Sequence, residues 1–255
     1  MQTLTLPANR GWQWLLEGFN IFCKQPQFLA PFVAVYFFLL SQNKIFPWPI
    51  QLLVVMLFPA GFTVVMNICR AVDKNLPMQG TAILFGLQEN IKKLMAQGLI
   101  FMFAATLIIT AIGLIDSSVP FMRPLPENGG YAMTTLNQLT VTEIVGLSLL
   151  LPVGLAYWFA PILVAWHNFT IIKSLFFSFF ACLRNWRVFL VYVLSVLVFA
   201  SIAPYVLSKV LLLAVSNSVA LFILVGVFIF VILPTLYASF YVSYREIFVT
   251  IDENA

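Results

Sequence analysis

Charge is what this chain has least of. Only 9% of its 255 residues are Asp, Glu, Lys or Arg, 62% are hydrophobic, and the mean hydropathy is +1.01. A soluble domain carries about 25% charged residues. So poor a supply cannot cover a water-facing surface, which excludes a soluble globule and makes lipid the main solvent. Histidine occurs once, at His167, and the three cysteines Cys23, Cys69 and Cys182 share no CxxC spacing. No zinc site of Cys and His is therefore expected, and the odd number of cysteines rules out complete internal disulfide pairing. HExxH, GxSxG and a Gly-rich phosphate loop are missing too, so the chain reads as non-enzymatic, with no catalytic, cofactor or metal site expected. No basic run is dense enough to grip nucleic acid. The N-terminus has neither the basic start nor the apolar core of a signal peptide, and Met1 is expected to begin the mature chain.

What is present is apolar sequence in long runs, with 26 phenylalanines. Six spans are expected, at about 28–43, 50–69, 98–115, 144–166, 188–208 and 219–241. The first is short for a bilayer of roughly 30 Å. Spans four to six carry Pro152, Pro161, Pro204 and Pro234 and are expected to kink. Residues 116–143 form the one long polar loop, and 244–255 a polar tail.

Three further segments have apolar residues at helical spacing with polar residues opposite. The first sets Trp12, Leu15, Leu16, Phe19, Phe22 and Cys23 against Gln13, Glu17, Asn20 and Lys24. The second sets Ile83, Leu84, Leu87, Ile91, Leu94 and Met95 against Gln88, Glu89, Lys92 and Lys93. The third, Ile171–Leu183, is the most apolar and is expected to sit deeper. Each is expected to lie in the headgroup interface.

Each segment also has a small residue six positions before a basic one: Gly18 to Lys24, Gly86 to Lys92, Ser178 to Arg184. The expected fold is an all-α integral membrane protein. Six transmembrane helices form three hairpins, each preceded by a cytosolic amphipathic interfacial helix. The chain is one polytopic domain over 1–255, with pseudo-threefold repeat units at about 6–70, 76–167 and 168–245. With the N-terminus cytosolic, the inside holds ten of the thirteen Lys and Arg residues, and the outside only Lys44, Arg123 and Lys209. Positive charge favours the cytosolic side, so both termini are expected inside.

The segments RGWQW (Arg10–Trp14), YWFAPILVAWH (Tyr157–His167), SLFFSFFACLRNW (Ser174–Trp186) and SYREIF (Ser243–Phe248) carry a resemblance. Together they resemble a family of bacterial inner-membrane proteins of about this size with six predicted spans, described only as transmembrane proteins of unknown function. More loosely, the alternation of interfacial helix and hairpin is similar to the membrane domain fused to some glycerophosphodiester phosphodiesterases. The resemblance implies the fold and the compartment and brings no catalytic residues with it.

The candidate residues are few. Lys24, Lys92, Arg184 and Arg187 are candidate lipid-headgroup contacts, with Arg184 and Arg187 able to clamp a phosphate beside the Trp186 indole. Their plainer role is as ordinary interfacial anchors. His167 and Asn168 form a candidate polar cytosolic mouth, or simply a span terminus satisfying its last carbonyls. Asn67, Thr106, Thr110, Ser148, Tyr157, Ser195 and Ser201 are expected to hydrogen-bond between helices. No charge lies deep in a span, which argues against a carboxylate-driven proton pathway. The expected function is to organise or bind membrane lipids, or partner proteins in the envelope, through the interfacial helices. The alternative is a transporter or channel for a small or amphiphilic molecule through spans four to six.

Overall fold

The computed structural model describes residues 2–41, 45–115, 141–214 and 217–249. Lys44, Arg123 and residues 116–140 of the polar loop lie outside them. The described residues are helical or in connecting turns, apart from one antiparallel pairing of β1 (Gln2–Thr3) with β2 (Phe248–Val249). Its helices are α1 (Arg10–Lys24), α2 (Pro26–Ser41), α3 (Trp48–Asp73), α4 (Gly80–Ile83), α5 (Leu87–Ile115), α6 (Val141–Trp158), α7 (Ala160–His167), α8 (Ile171–Arg184), α9 (Trp186–Ala214), α10 (Asn217–Val227) and α11 (Leu233–Ile247). A π-helical turn, Phe228–Ile232, joins the last two.

Among the described residues, four stretches are long and apolar enough to cross a membrane: Trp48–Asp73, Gly80–Leu114, Ser148–His167 and Val219–Ile247. Two sharply bent pairs, α1 with α2 at 109° and α8 with the first part of α9 at 80°, raise the number to six if each counts as one span. The bends have different causes. Pro26 forces Gln25 out of the helical region, and Gln25 sits at φ −147°. No proline acts at the second bend, where the buried Asn185 holds the chain. It donates to the carbonyls of Leu4 and Ala181, both at 3.0 Å, and accepts the Leu6 amide at 2.9 Å.

The second amphipathic segment departs from expectation. After the α4 turn, a helix starts at Leu87 and runs unbroken into the apolar stretch that ends at Ile115. Nothing between Leu87 and Gly98 breaks its hydrogen-bond ladder, so it does not lie apart as α1 and α8 do. The expected polar tail also differs at its start. Helix α11 runs on to Ile247, and Tyr244, Ile247 and Phe248 are buried.

Of the expected kinks, a break occurs at Pro161, where proline removes a donor, while α6 runs on through Pro152. Between α6 and α7, just before Pro161, the helical bond from the Phe159 amide to the Leu155 carbonyl is replaced by the Ser178 hydroxyl. That hydroxyl accepts from Phe159 at 2.9 Å and donates to Leu155 at 2.8 Å. An inserted side chain is a recognised cause of a helix break.

The core lies toward one end of the bundle. Buried residues crowd the second half of α3, the first six residues of α7 and the length of α11, together with Trp14, Leu29 and Leu94. Elsewhere large apolar side chains face outward, including Phe103 at 70% exposure, Leu107, Leu197 and Phe222 at 81%. Patches on this scale belong at an interface or against lipid.

Candidate functional site

Helices α1 and α8 turn apolar side chains away from the protein. In α8, Ser174, Ser178, Ala181 and Cys182 are buried, while Ile172, Phe176, Phe180 and Leu183 form an exposed stripe. Its polarity is inverted relative to a helix lying on a soluble domain. Ser174 accepts from the buried Gln97 amide at 3.0 Å, and Ser178 bridges the α6–α7 break. The small hydroxyls therefore serve the protein and the phenylalanines the surroundings. In α1 the apolar residues divide. Trp14, Leu15, Ile21 and Phe22 go inward with Gly11 and Gly18, while Trp12, Leu16 and Phe19 stay exposed. Sequence spacing placed Trp12 and Leu15 on one face. Only the neighbours, α9 and α11, separate them.

The four basic candidates are all exposed and are not gathered into one site. Lys24 ends α1 at the first bend. Arg184 and Arg187 flank the second, with Arg184 3.4 Å from the Thr3 hydroxyl and Arg187 5.4 Å from the Trp186 ring centroid. Lys92 lies within α5 and away from any bend.

His167 and Asn168 do more than end a helix. His167 Nε2 lies 2.7 Å from the Tyr244 hydroxyl, joining α7 to α11. Asn168 takes a left-handed conformation, φ 52°, and its amide closes α7 on the Leu163 carbonyl. Its side-chain oxygen accepts from Lys93, which also donates to Asn90 at 3.0 Å. Next to them, Trp166 donates to Asn67 at 2.7 Å, and Asn67 donates to the carbonyls of Ile83 and Phe85. Asn67 thus makes the interhelical bond expected of it. Thr110 instead bonds Thr106 of its own helix, and the Tyr157 hydroxyl is buried with no partner.

A charge network at the same end escaped the sequence. Arg10 pairs with Glu246 and with Glu17 at 2.8 Å, and Arg245 pairs with Glu17 at 2.6 Å and Asp73 at 2.8 Å. Trp14 donates to Glu246 at 2.8 Å and Tyr241 to Asp73 at 3.1 Å. This ladder ties α1 to the ends of α3 and α11. Its charges were legible only as residues at helix ends or, for Glu17, on the polar face of α1, because most of the pairs are more than 170 positions apart. Among the described residues no three His, Cys, Asp or Glu side chains could hold a metal ion.

With this geometry in view, the chain has an informative relative. It is 28% identical to a probable inner membrane protein of Burkholderia thailandensis over 258 aligned residues, taking in 97% of this chain and 94% of the relative. The resemblance to inner-membrane proteins holds over most of the chain. Together with the apolar helices, it assigns the chain to the inner membrane. No family model matches the sequence, and no solved structure matches it.

Proposed function

We propose that this chain is a non-enzymatic, multi-pass protein that binds and organises lipid at the inner membrane through its interfacial helices. The observation that carries the reading is the outward apolar stripe of α8 beside a bend flanked by two exposed arginines, Arg184 and Arg187. Such a helix fits the boundary between acyl chains and headgroups, and arginine suits a phosphate there. Lys24 stands in the same relation to α1 and its bend.

The reading includes six spans in three hairpins with both termini cytosolic. A cyclic pattern of packing supports it: α1 packs on α11, α8 on α6 and α7, and α5 on α3. Each of these segments therefore rests on the second helix of another hairpin. The three small residues fall at close approaches, Gly18 at Ser239, Gly86 at Ala165 and Ser178 at Phe159. Transport finds less support. Around spans four to six, the described side chains include a packed aromatic cluster of Trp158, Phe159, Phe189 and Phe240. A polar passage would need that space.

The test is the lipid that co-purifies with the full-length protein. Arg184→Ala combined with Arg187→Ala should reduce retained anionic lipid relative to zwitterionic lipid. Unchanged lipid content in a folded variant would overturn the reading.

A further inference from the structure

Three arginines among the described residues are half-buried: Arg10, Arg70 and Arg245. Arg10 and Arg245 each reach two carboxylates. Arg70, near the end of α3, has no carboxylate within ion-pair distance among the described residues. Its guanidinium lies 4.7 Å from the Phe85 ring centroid and 5.1 Å from that of Trp166. Stacking on aromatic faces leaves the in-plane N–H edges of a guanidinium free to donate, which suits phosphate recognition. Asp73, three residues on, is already engaged by Arg245 and Tyr241.

The same two rings line a cleft of about 470 Å³ between the α4–α5 turn and the end of α7. That volume falls in the range of small-molecule sites, roughly 300–1,000 Å³. Two other wall residues, Asn90 and Asn168, hold the Lys93 ammonium by their side-chain oxygens and leave it a third donor. The walls are set in advance. Asn67 fixes Trp166 and the carbonyls of Ile83 and Phe85. Gly86, at φ +69°, lies so close to the Ala165 carbonyl that no side chain fits. Glu89, exposed on the cleft wall, is the one acidic lining residue among those described, and it opposes a bound anion.

We propose that this cleft is an anion site for a phosphate group, with Arg70 and Lys93, which stand against its wall residues rather than on the walls themselves, reaching in as its cations. The site is separate from the Arg184–Arg187 pair and stands or falls independently of it. The phosphate belongs either to a lipid headgroup or to a soluble phosphate.

The test is thermal unfolding of the full-length protein in detergent, titrated with phosphatidylglycerol and, separately, with inorganic phosphate. A saturable rise in Tm is expected with at least one. In Arg70→Gln the half-saturating concentration should increase roughly tenfold or more, as expected for loss of hydrogen bonds to a charged group, while Glu89→Gln should lower it. Saturation with inorganic phosphate assigns a soluble phosphate, and saturation with the lipid alone assigns a headgroup. If Arg70→Gln does not fold, Lys93→Gln must show the same weakening. No saturable response to either probe, or an unchanged response in the variants, overturns the proposal.

Discussion

Ser178 on α8 completes a helix to which it does not belong, since its hydroxyl receives the Phe159 amide at 2.9 Å. It passes the bond on to Leu155 at 2.8 Å, so the break before Pro161 costs no unpaired amide. Ser178→Ala should leave a buried N–H without a partner, at a cost of about 1–3 kcal/mol. Denaturant unfolding of the detergent-solubilised protein reads this directly. A cost near zero would mean that the helix closes the bond itself.

Asn185 makes three bonds at once, two of them to Leu4 and Leu6 in the segment that follows β1. In Asn185→Ala, residues 2–6 lose that anchor. Hydrogen exchange at Leu6 should accelerate markedly, while exchange in the second half of α3 stays at the wild-type rate.

The charge ladder should matter more than its surface charges suggest. Arg10 and Glu246 are 29% and 14% exposed. Their coupling in a double-mutant cycle of Arg10→Ala and Glu246→Gln should exceed the roughly 0–1 kcal/mol of an exposed pair. High salt should shrink it only slightly, because partly buried pairs are screened less. The same substitution at Arg184, which is exposed, should barely change stability.

Helix approach can be tested with two glycines. A Cβ at Gly18 would come within 2.5 Å of the Ser239 amide nitrogen, whereas at Gly154 nothing lies within 4 Å. Gly18→Ala should destabilise by about 1–3 kcal/mol, as overpacking does. Gly154→Ala should be tolerated or slightly stabilising, since alanine is the better helix former by about 1 kcal/mol. Comparable effects at both sites would contradict the close packing of α1 on α11.

Topology is open to reporter fusions. A reporter active only outside the cytosol should give signal when fused after residue 130 and none at the C-terminus. Signal at the C-terminus would reverse the proposed orientation.

Composition alone determined the solvent. With 9% charge and apolar runs of spanning length, no arrangement of this chain could face water throughout. Periodicity located α1 and α8, because apolar spacing acts over a few residues, whereas the bend at Pro26 became visible only in the structure. Gly18, Gly86 and Ser178 stood out by spacing, but spacing did not disclose that each meets the backbone of another helix. Only the tertiary structure decided what depends on distant partners. It divided α1 into an inner face at Trp14 and an outer one at Trp12. It set Arg10 and Arg245 among carboxylates and left Arg70 against the Phe85 and Trp166 rings with no carboxylate partner among the described residues. Local sequence governs dihedral angles and apolar faces, whereas pairing between distant residues depends on which helix ends the packed bundle brings together.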